Sequence, residues 1–331
     1  MRKIVTLIPG DGIGPEISEA LMFVMDKIKC DIDFEIVDAG LTYLEKGGQL
    51  IPNDVYDSIE KTRCVIKGPI TTPIQEGFRS INVFLRKKYD LYQNIRPVKG
   101  ISPSLIDFVI FRENTEGLYI GEEKDLGNGI TEATKRITRV GSNRIIQAAF
   151  EYASMNHRKK VTVIHKANIL KVTDGLFLSV AREIKEHFPE VQYEEMIIDN
   201  ACMQMVMNPM QFDVIVTMNL YGDILSDLGA GLVGGLGLAP GANIGSECAI
   251  FEAVHGSAPN IAGKGIANPV ALLRSAVMML SYLGETENSN KLDLAINQVL
   301  EEKMIRTPDL GGTNTTMEMA EVITKRFEMI R

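Results

Sequence analysis

Short apolar runs rich in β-branched residues alternate along nearly the whole chain with longer stretches of helical periodicity, and this alternation limits the fold more than any other feature. The runs predict strands at 3–8, 34–37, 64–67, 108–111, 161–164, 196–198, 214–218 and 249–252. Amphipathic stretches at 16–28, 139–156 and 175–186 predict helices between them. Strands separated by helices in this order make an α/β protein. With 331 residues, 45% of them hydrophobic, the chain can fill two domains with sizeable cores. No low-complexity tract, charge block or fixed-period repeat marks a boundary. The favoured crossings lie near Arg96-Pro97 and Glu252-Ala253.

Charge excludes some partners. Lys and Arg number 35 against 43 Asp and Glu, a formal charge of -8, which argues against a general nucleic-acid or anionic-membrane surface. Any cationic site must be local. Cys30, Cys64, Cys202 and Cys248 stand far apart with no C-x-x-C spacing, so reduced structural thiols are expected rather than a disulfide framework. No uncharged apolar segment is long enough for a membrane span, and the first apolar run begins almost at Met1, so a cytoplasmic location is expected.

Chemistry concentrates in a few segments. In Asn219-Leu-Tyr-Gly-Asp-Ile-Leu-Ser-Asp227 the i,i+4 spacing puts Asp223 and Asp227 on one helix face, directly after a run that reads as a buried strand. Such a pair suits a divalent cation, though two acids on one helix face more often serve a solvated face or an N-terminal charge complement. Ser80, Asn82, Arg86 and Arg96 fall within one short stretch, with Arg112 and Tyr119 close behind. Arginine grips carboxylates with two parallel hydrogen bonds. Arg96 precedes a proline and Arg112 ends an apolar strand, places where a solvated role is less natural. A cation beside several guanidiniums suits a small polycarboxylate. Two glycine motifs mislead. Gly10-Asp-Gly-Ile-Gly14 lacks the third spacing of a dinucleotide fingerprint, and Gly229-Ala-Gly-Leu-Val-Gly234 lacks the strand that should precede it, so both read as structural glycines.

The segments Ile8-Pro-Gly-Asp-Gly-Ile-Gly-Pro15, Gly68-Pro-Ile-Thr-Thr-Pro73, Asp90-Leu-Tyr-Gln-Asn-Ile-Arg-Pro97, Arg112-Glu-Asn-Thr-Glu116, His165-Lys-Ala-Asn168, Asn219–Asp227 and Val254-His-Gly-Ser-Ala-Pro259 resemble, in matching order, the isocitrate and 3-isopropylmalate dehydrogenase family. The resemblance implies a non-Rossmann α/β fold with a cleft between a large cofactor-binding domain, residues 1–98 plus 253–331, and a small domain, 99–252, that carries a dimer contact. It assigns Asp223 and Asp227 from one copy of the chain, with Asp199 from the other, to Mg2+ or Mn2+, so each active site needs a homodimer, with higher assembly open. Oxygen-only ligands suit such hard cations. The ion is expected to bind the substrate's hydroxyl and adjacent carboxylate and to serve both oxidation and decarboxylation.

By the same resemblance, Arg86, Arg96 and Arg112 hold the substrate's carboxylates, and Lys166 and Tyr119 handle protons. Lysine is a poor base at its free pKa of about 10.4, so a nearby metal and arginines are needed to depress it. Ser80 and Asn82 match the isocitrate branch, where a hydroxyl and an amide bond the distal carboxylate. Leaving both unpaired against an isopropyl chain costs on the order of 1–3 kcal/mol each. Homoisocitrate, one methylene longer, is the alternative substrate. The expected cofactor is NAD, bound by Thr72, Glu252, His255, Gly256, Ala258, Asn260, Ile261 and Asn268. Ile261 and the absence of a cation beside it disfavour a 2'-phosphate, while Asn260 replaces the family's usual aspartate. Arg306-Thr-Pro-Asp-Leu-Gly-Gly312 also lacks the Tyr and Arg with which NADP relatives hold that phosphate. His157, His165 and His187 lack metal-ligand spacing, and Met203, Met205, Met207 and Met210 read as core or interface packing. A catalytically silent regulatory protein is the competing class, one that should lack part of this set.

Overall fold

The computed structural model describes residues 2–45, 49–71, 80–102, 104–303 and 305–330. Its strands are β1 (Lys3–Ile8), β2 (Ile32–Ile36), β3 (Cys64–Lys67), β4 (Gln93–Lys99), β5 (Asp107–Glu113), β6 (Glu123–Gly127), β7 (Ile130–Ala133), β8 (Lys160–His165), β9 (Gln192–Ile197), β10 (Val214–Thr217), β11 (Pro240–Ile244) and β12 (Ala249–Ala253). Ten of them form one sheet in the order β2-β1-β3-β12-β11-β4-β5-β10-β8-β9, and β6 and β7 make a separate hairpin. Neighbours in the sheet are parallel except at β12-β11, β11-β4 and β4-β5. The two ends of the sheet therefore run in opposite senses and meet at an antiparallel seam, an α/β order distinct from the doubly wound dinucleotide fold.

Helices cover both faces. Residues 5–66 and 238–327 supply one apolar core, in which Leu21, Phe251, Leu272 and Leu292 are fully or almost fully buried. Around β5, β8 and β10 a second core forms from residues 109–218, filled by Phe111, Phe150 and Phe177. The β11 and β12 strands contribute Ala242, Ala249 and Phe251 to the first of these. Strands 3–8 and 64–67 form as the sequence predicts. The expected helices shift by at most about one turn: 16–28 becomes Gly14–Lys27 with a proline in its first turn, 139–156 becomes Arg139–Met155, and 175–186 becomes Thr173–Ile184.

Larger differences have physical causes. At 34–37 the strand is Ile32–Ile36, and at 196–198 it is Gln192–Ile197; both lie at sheet edges, where polar residues are tolerated and hide a strand from an apolar pattern. Strand β4 escapes the apolar pattern because Arg96-Pro97 lies in its middle. Pairing between β11 and β4 ends at Ile95, so the missing N–H of Pro97 falls beyond that ladder. Gly229, predicted to follow the helix carrying Asp227, lies inside it, within Asn219–Leu232. There a Cβ would stand 2.8 Å from Val98, so this glycine serves close packing. Gly10 and Gly12 have positive φ and press against the carbonyls of Pro69 and Ser257, which leaves them no room to cradle a phosphate.

Candidate active site: an arginine floor and a distant lysine

At the carboxyl end of β5, Arg112 is 2% exposed. Asn219 Oδ1 accepts hydrogen bonds from its Nε at 3.0 Å and its Nη2 at 2.8 Å, while Nη1 pairs with Asp223. The helix Asn219–Leu232 runs so close that a Cβ on Gly222 would lie 2.6 Å from the Arg112 stem. Only glycine lets the carboxylates of this helix sit over the guanidinium. Tyr119 donates its hydroxyl to the other oxygen of Asp223, and its ring lies 5.0 Å from the Arg112 guanidinium. Burial pushes Asp223 up, but Arg112, the Tyr119 hydroxyl and Arg96 outweigh it and hold the carboxyl below its ordinary range.

Arg96 and Arg86 complete the floor. Arg96 is 5% exposed, donates from Nε to Asn94 Oδ1 at 2.7 Å, and keeps a buried Nη1 with no partner. Burial, with Arg86 and Arg112 nearby, brings its pKa down to about 10 despite Glu252. On the helix Ile81–Lys88, Arg86 places Nη2 3.4 Å from Glu252 and leaves a buried Nε unpartnered. Ser80 caps that helix, its Oγ accepting from the Val83 N–H at 3.5 Å, so the hydroxyl proton stays free to donate. The Asn82 Oδ1 is buried without a partner. Orphaned donors on buried cations cost free energy, about 1–3 kcal/mol per unsatisfied group, which an anion at this place would recover.

Asp227, one turn beyond Asp223, has no hydrogen-bond or ion-pair partner among the described residues. Burial and the charge of Asp223 raise its pKa. Two hard oxygen donors, one of them unpaired, fit a divalent cation. They do not complete its shell: among the described residues no three His, Cys, Asp or Glu side chains could hold a metal.

The third expected ligand lies elsewhere. Asp199 opens the helix Ile198–Met207, its side chain 70% exposed, and it pairs with Lys166 of the same chain. That contact lowers Asp199 below the ordinary carboxyl range. Fully buried Asp174 anchors the turn after β8 by accepting the Lys166 N–H at 2.8 Å and the Lys135 ammonium at 2.5 Å. No hydrogen bond or ion pair among the described residues links Lys166 or Asp199 to the arginine floor. In the segments that follow Lys166 and Asp199 along the chain, Ile169, Val172, Val206, Met207 and Met210 are exposed, whereas Met205 is fully buried. The methionine segment thus divides between core and surface. Nearby in sequence, the β6-β7 hairpin is exposed at every residue.

Most of the expected cofactor residues follow Glu252 along the chain. Glu252, next to last in β12, forms a buried ion pair with Lys67 at 2.5 Å; burial raises its pKa, but Lys67, Arg86 and Arg96 more than reverse the effect. His255 keeps a buried Nε2 without a partner, and burial lowers its pKa. Ala258 adopts φ 39, a left-handed conformation costly for a residue with a Cβ, just before the short turn Pro259–Ile261. Gly256 and Asn260 are exposed and Ile261 is half-buried. Asn268 is already engaged, donating to Asp309 at 3.0 Å and accepting the Val270 N–H. Thr72 lies outside the described residues.

Sequence reasoning passed over Lys67, Asn94, Asn219 and Asn243, which hold the floor in place. A lysine closing the apolar run Cys64–Lys67 was the legible signal among them.

The fold and this site define an α/β protein suited to a small anion with several carboxylates, set beside paired helix carboxylates. The chain belongs to the isocitrate/isopropylmalate dehydrogenase family, whose model matches residues 4–324. It is 47% identical to the alpha chain of the mitochondrial NAD isocitrate dehydrogenase of Bos taurus, an alignment covering 98% of this chain and 91% of that one. It is 48% identical, with the same coverage, to a protein of Dictyostelium discoideum that is named a regulatory component of mitochondrial NAD isocitrate dehydrogenase. The crystal structure of isocitrate dehydrogenase from Methylococcus capsulatus superposes with a TM-score of 0.95 at 47% identity, covering 99% of this chain and all of that one.

Proposed function

We propose that this chain is a catalytic NAD-dependent isocitrate dehydrogenase, converting isocitrate and NAD to 2-oxoglutarate, CO2 and NADH. The observation that carries the reading is the floor of three buried or part-buried arginines, Arg86 and Arg96 with orphaned donors, beside the Asp223–Asp227 pair. Similarity to components of NAD isocitrate dehydrogenases over nearly the full chain supports it. Ser80 and Asn82 favour isocitrate: Ser80 has a free hydroxyl proton to donate, and Asn82 lines one cavity with Arg86, where its amide NH2 would donate to a distal carboxylate. The catalytic reading is preferred over a silent regulatory one because the acids, arginines, Tyr119 and Lys166 are all present.

Asp223 and Asp227 would hold Mg2+ or Mn2+ together with Asp199 of a second copy. When bound, the cation supplies charge that polarises the substrate's hydroxyl and carboxylate, and the nicotinamide supplies the hydride acceptor. The arginines bind and orient the carboxylates. Because Lys166 pairs with Asp199, it arrives with it from the second copy and takes the substrate's hydroxyl proton. Tyr119 returns a proton to the carbon that CO2 leaves; burial and its bond to Asp223 raise its pKa and keep the phenol protonated for that task. Glu252, His255, Gly256, Ala258, Asn260, Ile261 and Asn268 would line the NAD side.

A homodimer with shared sites is supported by the exposed apolar corner around Lys166 and Asp199, and by the exposed hairpin, since an isolated two-stranded hairpin is marginal in water. The two-unit division at 1–98 plus 253–331 and 99–252 accompanies this reading, with β11 and β12 packing on the unit built from the chain ends. No described helix is long and apolar enough to cross a membrane. The four unpaired thiols, three of them buried, support a reducing compartment, which we take as the cytoplasm, although the curated relatives named above are mitochondrial.

Assays of isocitrate, homoisocitrate and isopropylmalate, each with NAD and NADP in the presence of Mg2+ or Mn2+, test this. Isocitrate with NAD should give the highest kcat/KM, at least about 10-fold above homoisocitrate. A higher value for homoisocitrate or for NADP overturns the corresponding half of the assignment.

A further inference from the structure

Beneath the arginines runs an unbroken chain of buried hydrogen bonds whose polarity is fixed at every link. Arg96 Nε donates to Asn94 Oδ1 at 2.7 Å, Asn94 Nδ2 to Asn243 Oδ1 at 2.7 Å, and Asn243 Nδ2 to Glu252 Oε1 at 2.8 Å. Asn114 Nδ2 also donates to Asn243 Oδ1, at 3.0 Å. Glu252 ends the chain between Lys67 and Arg86. Asn94 is 0% and Asn243 2% exposed, so water cannot replace a lost link. The links follow from register. Asn243 pairs with Asn94 across the antiparallel seam, and Gly241 pairs with Glu252. A Cβ on Gly241 would lie 2.9 Å from Arg96 Nη1, so glycine there leaves room for the guanidinium.

An amide has one accepting and one donating end, so each asparagine here can face only one way. Arg96 can donate to Asn94 in this geometry only while Asn94 donates to Asn243, and Asn243 does so only while Glu252 accepts. We propose that Asn243, acting through Asn94 and Glu252, is a positioning residue that sets the orientation of both Arg96 and Arg86 for the substrate's carboxylates. This rests on the isocitrate reading above. Nothing in the chain of bonds touches the paired aspartates or Lys166, so the inference concerns substrate orientation and not proton transfer.

The test uses the full-length chain with Mn2+, NAD and isocitrate. Wild type must first turn over isocitrate; no turnover overturns the reaction itself, and this inference with it. In Asn243→Leu the isocitrate KM should rise about 10-fold or more, while the NAD KM changes less than about 3-fold because Lys67 still holds Glu252. In an Arg96→Ala background, adding Asn243→Leu should raise the isocitrate KM by a clearly smaller factor than in wild type. Should Asn243→Leu fail to fold by circular dichroism, Asn94→Leu carries the same expectation. An isocitrate KM within about 2-fold of wild type in a folded variant, or equal rises in both KM values, overturns the proposal, as does full additivity with Arg96→Ala.

Discussion

The arginine floor and the Lys166–Asp199 corner both hold opposite charges in contact but are built in opposite ways. Arg96 and Arg112 are almost wholly buried, fixed by asparagines and covered by a helix that only Gly222 lets approach. Lys166 and Asp199 are 28% and 70% exposed and hold little but each other, amid uncovered Val172 and Met207. Buried cations with orphaned donors are preorganised for an anion, and the cost of their desolvation is met during folding. An exposed ion pair is worth little to the fold and is free to change partners. On the proposed function, one chain would fold with half of its site finished and the other half presented outward.

Breaking each half in turn separates their roles. Lys166→Ala should lower kcat about 10²–10⁴-fold and leave isocitrate affinity, read by calorimetry with Mn2+, within about 3-fold of wild type. Arg112→Ala should lower kcat/KM comparably but weaken binding as well. Near-normal turnover in Lys166→Ala would remove it from the chemistry. A smaller contrast lies in stability. Gly222→Ala forces a Cβ against the Arg112 stem and should cost about 1–3 kcal/mol in chemical denaturation, whereas Met207→Ala, 72% exposed, should cost under about 0.5 kcal/mol in the isolated chain.

Acid separates the halves more gently. The folded-state pKa of Glu252 lies below its unfolded value because Lys67, Arg86 and Arg96 outweigh burial. Its stabilisation is therefore fully present above an unfolded pKa of about 4.3 and is lost as pH falls through the folded value. Glu252→Gln should flatten the dependence of unfolding free energy on pH below about 5. Asp199 is shifted in the same direction by Lys166, but it is exposed, so Asp199→Asn should leave that profile nearly unchanged, and less affected still in high salt.

Legibility in the sequence followed burial and locality. Continuous apolar strands such as Cys64–Lys67 were readable, and so were Asp223 and Asp227, because helical spacing places them on one face by geometry alone. Strand β4 was not, since Arg96-Pro97 reads as punctuation until the neighbouring ladder is seen to stop at Ile95. Neither were Asn94 and Asn243, whose meeting depends on the register of an antiparallel seam between segments 149 residues apart. The separation of Asp199 from the paired aspartates followed from the family resemblance alone; its distance from Asp223 along the sequence says nothing about which copy of the chain supplies it.

Mixing two inactive variants tests the shared-site account most directly. Asp223→Asn cripples the arginine half and Lys166→Ala the outward half, and the two would be unfolded together, refolded at equal concentration and assayed for NADH formation from isocitrate. If each site takes its halves from two chains, every mixed dimer carries one intact site, and random pairing restores roughly a quarter of wild-type activity. Activity no higher than that of either variant alone would contradict the account and place both halves of each site in a single chain.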